Sequence, residues 1–354
     1  MKILLCERDF SGHRRIYLSW LSKTEGLEFY SFAPENTGFA EDHFFAFRTD
    51  SPLKSFGNYA AWVRQIGKIV RQNKIDAVHI LDGDSLMRYF GYGLHTLGCD
   101  RVIITYHNFY AGTPRKISYR LMNFGKKHTC VVHSEKLRRQ MTGAGLKNVS
   151  LCEYPAFDFD EFDAMNAALC RTQSGLLPDV PVIGIIGGIS SYKNIVPFLH
   201  ILRQSDREFQ LLMLGRLTDI TEQEIAEATA PYSHRVHSLF RPLTDDEYKR
   251  GIAASDIIYC IYRQDFNGAS GPLTDGVCCR KMILSCSHGS LGDITTQNHL
   301  GLTADVSDEA DILAKTQTAL DKAPGFGYDE TAEAYRQRLR PRHFLETYKK
   351  IYES

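Results

Sequence analysis

Short apolar runs that end at polar or glycine turns alternate with helix-patterned segments along the whole chain, and this alternation restricts the fold more than any other feature. The strand candidates in the first half are Lys2–Cys6, 77–81, 102–106 and 129–133. In the second half they are Val182–Ile186, Gln210–Leu214, 257–261 and 282–285. Segments with helical spacing lie between them, such as 59–72, 118–124 and Asp245–Ala254. Strands alternating with helices build parallel sheets from βα units. The pattern starts afresh near Val182, and 354 residues exceed one ordinary core. The expected fold class is therefore α/β, with two Rossmann-like domains whose binding crevices lie at the strand carboxyl ends. The stretch 170–181, CRTQSGLLPDVP, holds two prolines and few strand formers, and is the expected linker. This divides the chain into domains 1–169 and 182–334, with 335–354 as a final amphipathic helix.

Charge is balanced overall, with 42 basic and 42 acidic residues, which argues against bulk nucleic-acid binding. The balance hides an asymmetry. Residues 1–158 carry 22 basic and 15 acidic side chains, a net of +7. Between 113 and 147 nine basic residues, Arg115, Lys116, Arg120, Lys126, Lys127, Lys136, Arg138, Arg139 and Lys147, meet one acid, Glu135. Such a surface attracts phosphates or an anionic membrane face. Nine cysteines, an odd number that includes the adjacent Cys278 and Cys279, do not read as a disulfide framework or a zinc site. Free thiols, a start MKILLCERDF without a signal-peptide pattern and no long apolar stretch make a cytoplasmic protein the expectation.

Three segments hold candidate chemistry. The loop after the first strand contains Gly12 and His13 among basic residues, and a glycine there lets backbone amides approach an anion. The second domain opens with a strand, then Gly187, Gly188 and, a few residues later, Lys193, where a lysine near a helix start neutralises a diphosphate. The spacing is not that of a Walker A loop, since the GK[ST] ending is absent. The run from Asp265 to Leu284 contains Asn267, Ser270, Gly271 and Asp275, with Pro272 in the first turn of a helix. Amides at Ser270 and Gly271 suit phosphate or sugar oxygens, and Asp275 suits ribose hydroxyls. The plain alternatives are a turn glycine, a solvated lysine and an Asp that stabilises a helix start. Asp82 and Asp84 follow a strand on the binding edge, where they could position an acceptor hydroxyl, and solvated loop residues are the plainer reading.

These segments resemble the GT-B fold glycosyltransferases, in particular glycosyltransferase family 4. GGISSYKN at 187–194 takes the place of that family's GRLxxxKG motif, with Gly187 on its first glycine and Lys193 on its diphosphate-binding lysine. The family arginine falls on Gly188, a departure. The segment 267–284 is similar to the E-x7-E loop and the helix and strand after it. Asp275 matches the ribose-binding second glutamate, and Asn267 replaces the first. RPLTDDEYKRGIAASDIIYCIY at 241–262 is the nearest match, and the final FLETYKKIYES resembles the helix that crosses back to the first domain. ITYHN at 104–108 places His107 on the family's active-site histidine, and Gly12 corresponds to its phosphate-side glycine loop.

The resemblance implies two domains facing across a cleft and a retaining, metal-independent transfer of a hexosyl-type sugar from a nucleotide diphosphate-sugar. It implies no cofactor. The acceptor would be a glycan or a lipid-linked molecule in bacterial surface polysaccharide assembly, with peripheral contact at the inner membrane face. His107 and Lys193 are then the catalytic candidates. Gly12, Gly187, Gly188, Asn267, Ser270, Gly271 and Asp275 would bind donor, with Arg216 or Arg263, both at strand ends, replacing the missing arginine. His13, Arg115, Lys116, Arg120, Lys126 and Lys127 would face the acceptor or membrane. A non-catalytic GT-B subunit that binds a sugar, peptide or partner transferase, and a nucleotide-sugar epimerase, share the fold and stay open.

Overall fold

The computed structural model describes residues 1–8, 14–47, 55–110, 112–266 and 269–354, with Arg14 and Thr113 described in backbone only. The chain divides into two compact units: unit 1 is Met1–Tyr154 with Pro341–Ser354, and unit 2 is Pro155–Arg340. Each crossing is followed by a proline, which holds the residue before it in extended backbone. The segment expected as a linker, 170–181, packs inside unit 2. Cys170 and Leu176 join its core, and Arg171 donates to the carbonyls of Ala254 and Pro178 at 3.1 and 2.6 Å.

Unit 1 holds seven parallel strands: β1 (Lys2–Cys6), β2 (Glu28–Ala33), β3 (Phe44–Ala46), β4 (Ala77–Ile80), β5 (Arg101–Tyr106), β6 (His128–Val132) and β7 (Val149–Leu151). Their order across the sheet is β3-β2-β1-β4-β5-β6-β7. β1, β4 and β5 are almost wholly buried, as the continuous apolar runs of a sheet covered on both faces require. The C-terminal helix Pro341–Glu353 belongs to this unit. It buries Phe344, Tyr348, Ile351 and Tyr352, a stripe at helical spacing. Its hydroxyls enter polar partnerships: Tyr348 pairs with Tyr17, and Tyr352 meets His79 Nδ1 at 2.7 Å.

Unit 2 holds six parallel strands: β8 (Val182–Ile186), β9 (Gln210–Leu214), β10 (Val236–Leu239), β11 (Ile257–Cys260), β12 (Met282–Cys286) and β13 (Gly301–Ala304), in the order β10-β9-β8-β11-β12-β13. Both sheets thus run outward from their first strand, reverse, and continue from their fourth. That is the doubly wound order, which opens a crevice between first and fourth strands. In unit 2 the helices Asp245–Ala254 and Gly271–Cys278 share one apolar layer with β8 and β11, while the helix Ile195–Leu202 belongs to a second layer. The helix Asp245–Ala254 starts at a capping box between Thr244 and Glu247. Among the described residues no helix is long and apolar enough to cross a membrane.

Candidate active site

The crevice of unit 2 lies beyond Ile186 of β8 and Cys260 of β11. Gly187 leaves β8 at φ +95°, a conformation that costs glycine nothing. The chain then turns through Ser191–Lys193 and folds the lysine back over the strand end. Lys193 is 6% exposed. Its Nζ donates to the Ile186 carbonyl at 3.4 Å and lies 5.9 Å from the centre of the Tyr262 ring. Among the described residues no carboxylate pairs with it. Burial therefore holds its ammonium below the usual lysine range.

Ser270 reaches the same point from β11. It caps the helix Gly271–Cys278, accepting from the Leu273 amide at 3.4 Å, and its Oγ meets the Tyr262 hydroxyl at 3.0 Å. The far end of this helix is fixed by Arg336, fully buried, whose Nε donates to the Cys278 carbonyl at 2.9 Å. Asp275, one turn in, accepts from the Tyr248 hydroxyl at 2.6 Å. Tyr248 closes the group, since its ring and Pro272 both lie 3.8 Å from where a Cβ on Gly187 would stand. Gly187, Lys193, Ser270, Gly271 and Asp275 are thus gathered by the chain itself.

Loss of solvation pushes the Asp275 carboxyl up to about 7, against a partial offset from the Tyr248 hydrogen bond. A carboxyl raised in the fold favours its protonated form, so its contribution to stability falls as pH rises from about 4 to about 7. Asp275→Asn keeps an acceptor for Tyr248 and removes that penalty. The variant is expected to gain about 1–3 kcal/mol at pH 8, after discounting for partial exposure, and less at pH 5. Thermal denaturation at both pH values measures it. A gain that does not depend on pH would take the ionisation of Asp275 out of the stability account.

Of the other donor-side candidates, Gly188, Arg216 and Arg263 do not bring a side chain into this group. Gly188 is exposed, and a Cβ there would meet nothing within 4 Å. Arg216 is exposed after β9, with no side-chain partner among the described residues. Arg263 is exposed after β11, 3.6 Å from Asp265. Its amide donates to the Tyr192 carbonyl at 2.9 Å. Gly12, His13 and Asn267 lie outside the described residues. The sequence reading missed two features here. Tyr192, Tyr262 and Phe266 stack on one another, with Tyr262 and Phe266 centres 4.2 Å apart. Gly215, at φ +139°, lies so near the Gly187 turn that its Cβ would stand 1.7 Å from the Gly187 carbonyl oxygen. The signal for the second was a glycine directly after an apolar strand.

In unit 1, His107 stands at the end of β5. Its Nε2 donates to the Leu81 carbonyl at 2.9 Å, and its ring centre is 5.2 Å from that of His133. His133 donates from Nδ1 to Cys152 at 2.7 Å, and burial drives its pKa down to about 3. Asp82 and Asp84 are not solvated, contrary to expectation. Asp82 is buried, paired with Arg8 at 2.7 Å and with Ser85. Asp84 accepts from the Asn108 amide at 3.3 Å and side chain at 3.0 Å, and burial raises its pKa. Both acids sit at the strand edge, where turn backbone and neighbouring side chains replace water. Arg115, Lys116 and Arg120 lie on the helix Thr113–Met122, and Lys126 and Lys127 follow it.

No protein-family model matches the chain, and no curated protein matches it by sequence. Solved structures do match in shape. A glycosyltransferase from Rickettsia africae ESF-5 superposes with a TM-score of 0.77 at 15% identity, covering 99% of this chain and 97% of that one. HepE of Anabaena in complex with UDP and glucose gives 0.71 at 14% identity, covering 100% and 99%. WaaG, a glycosyltransferase involved in lipopolysaccharide biosynthesis, gives 0.62 at 12% identity, covering 98% and 95%. The chain therefore has the fold of these glycosyltransferases, the GT-B fold.

Proposed function

We propose that this protein is a glycosyltransferase that moves a sugar from a nucleotide diphosphate-sugar to a glycan or lipid-linked acceptor, with retention at the anomeric carbon. One observation carries the reading. Lys193 is a buried cation without a carboxylate partner among the described residues, held where two strand ends and the start of the helix Gly271–Cys278 converge. A buried unpaired ammonium is costly to the fold, and an anionic ligand at that point offsets the cost. HepE, of the same fold, is described in complex with UDP and glucose.

In the reaction the bond from the anomeric carbon to the phosphate oxygen breaks, and its electron pair leaves with the diphosphate. The acceptor oxygen bonds to the same carbon, and its proton passes to the leaving phosphate. Lys193 and the amides at Ser270 and Gly271 face the charge that grows on the leaving group. Asp275, with Tyr248, holds the ribose. Surface polysaccharide assembly in a bacterium suits this reading, since WaaG is described in lipopolysaccharide biosynthesis.

The deciding experiment screens nucleotide sugars for thermal stabilisation and for slow donor hydrolysis. Stabilisation with hydrolysis or transfer supports the enzyme. Stabilisation without either would favour a non-catalytic binding subunit, a reading to which Gly188 in the arginine position lends some weight. Turnover is also expected to persist in excess chelator. Protein cations carry the leaving-group charge, and no group of three or more metal-ligating side chains gathers among the described residues. An enzyme that stops in EDTA and recovers with magnesium would overturn that expectation.

A further inference from the structure

We propose that Tyr192, Tyr262 and Phe266 form a stacking platform for the donor's sugar ring, and that the sugar they accept is an uncharged pyranose. Their role depends on the transfer reaction proposed above. Lys193 has two neighbours that lead in different directions. The Ile186 carbonyl leads to Gly187, where the Tyr248 ring stands 3.8 Å from the position of a Cβ, so this side belongs to the Tyr248–Asp275 pair. The Tyr262 ring, 5.9 Å from Nζ, leads to Phe266 at 4.2 Å and to Tyr192 at 5.8 Å. A diphosphate held at the ammonium therefore has the ribose-holding pair on one side and three rings on the other. A nucleotide diphosphate-sugar carries its ribose and its sugar at opposite ends of the diphosphate, so the end left for the rings is the sugar. The platform is fixed in advance. The Tyr262 hydroxyl meets Ser270 Oγ at 3.0 Å, the Arg263 amide donates to the Tyr192 carbonyl at 2.9 Å, and His288 Nε2 donates to the Arg263 carbonyl at 3.0 Å. Tyr192 is the outer ring, 43% exposed and within 8° of parallel to Phe266. A rigid flat ring that already faces water loses little freedom when the C–H face of a sugar covers it.

The charges beside the platform choose the class of sugar. A cavity of about 550 Å³ opens next to the Tyr192 turn, lined by Asn194, Arg263, Gln264, Asp265, Asp305 and Ser307. Arg263 lies 3.6 Å from Asp265, so these two charges offset one another. Asp305 is the excess. It accepts from the Ser307 hydroxyl at 2.7 Å and amide at 2.9 Å, and no Lys or Arg pairs with it among the described residues. The Ser307 bonds, with a smaller contribution from His288, hold its carboxyl below the usual range, so it is ionised at neutral pH. Sugar hydroxyls find acceptors in Asp265, Asp305 and Gln264, and donors in Arg263 and Asn194. The carboxylate of an acidic sugar would instead meet a surplus of like charge.

Calorimetry on the full chain tests this without an acceptor. The probes are UDP, GDP, ADP and dTDP, then the glucose, galactose, mannose and glucuronic acid esters of the diphosphate that binds. Tyr192→Ala is expected to weaken the tightest neutral ester about five- to tenfold and the free diphosphate less than about twofold. Tyr192→Phe should restore the loss, since the ring and not the hydroxyl does the stacking. The parent protein should bind the glucuronic acid ester about tenfold more weakly than the neutral one, and Asp305→Asn should narrow that gap about threefold, less at high salt. Both sites are exposed, and an unchanged circular dichroism spectrum verifies that the variants fold. An equal loss for diphosphate and ester in Tyr192→Ala would overturn the platform, because the residue would then act only through the Lys193 turn. So would no loss for either. A glucuronic acid ester that binds as tightly as the neutral one would overturn the class of sugar. Each of these results leaves diphosphate binding in place. Failure of every diphosphate to bind would instead remove the transfer reading, and the platform with it.

Discussion

Lys193→Ala is expected to lower kcat for sugar transfer, or for donor hydrolysis, by about 10²–10³-fold while changing KM far less. The lysine is buried at the strand edge beside the Ile186 carbonyl, the Tyr262 ring and the Cys260 thiol, with no carboxylate partner among the described residues. Its charge is worth most when the diphosphate gains charge in the transition state, and an interaction of that kind appears in kcat. By the resemblance, the family arginine falls on Gly188, and under the proposed function that concentrates the duty on Lys193. Lys193→Arg should recover only part of the loss, because a planar fork does not replace a compact ammonium. Stability should move the other way. A lysine whose pKa is lowered in the fold costs stability at every pH below its ordinary value, so neutral pH lies inside the costly range. Lys193→Met should therefore melt no lower than the parent protein, and a nucleoside diphosphate should raise the melting temperature of the parent more than that of the variant. Unchanged turnover in Lys193→Ala would return this residue to a purely structural place.

Much of this group of residues could be read from the sequence because its parts are local. An apolar run followed by Gly187 and then Lys193 states a strand, a turn and a cation within twelve residues. Ser270 three residues before Leu273 states a helix cap. What the sequence hides is contact at a distance. Tyr248 and Asp275 lie 27 residues apart and meet only because two helices share one face of the sheet. The strands at the sheet edges were also missed, and so was β2: β3 and β7 have only three residues each, β10 and β13 are only partly buried, and Glu28 and Ser31 interrupt the apolar run of β2. The linker was misplaced for a physical reason. Proline-rich 170–181 reads as a connection, yet Arg171 ties its backbone into unit 2, while the chain crosses at Pro155 and Pro341, single prolines within ordinary sequence. Asp82 reads as solvated because its partner Arg8 is 74 residues away.

Gly215→Ala is expected to destabilise the protein by about 3–5 kcal/mol, measured by denaturant titration followed by circular dichroism. Two costs add. The backbone there stands at φ +139°, a region that side chains with a Cβ avoid, which alone costs about 1–3 kcal/mol. The new Cβ would also fall 1.7 Å from the carbonyl oxygen of Gly187, so the two turns must separate. Neither neighbour can yield cheaply, because the obstacle is backbone rather than the end of a flexible side chain. The Gly187 amide is itself bonded to the Leu214 carbonyl at 2.8 Å, and the Gly215 amide to Leu239 at 3.0 Å, so separation strains the ladder on both sides. Gly188→Ala supplies the contrast. It sits in the same glycine pair as Gly187, is exposed, and has open space where its Cβ would go, so it should stay within about 0.5 kcal/mol of the parent. The turn that Gly215 props also leads to Lys193, so Gly215→Ala should lose nucleotide affinity along with stability, whereas Gly188→Ala should keep its fold. Equal midpoints for the two variants would mean that the close approach of the Gly187 and Gly215 turns does not exist in solution, and the placement of Lys193 over the end of β8 would lose its support.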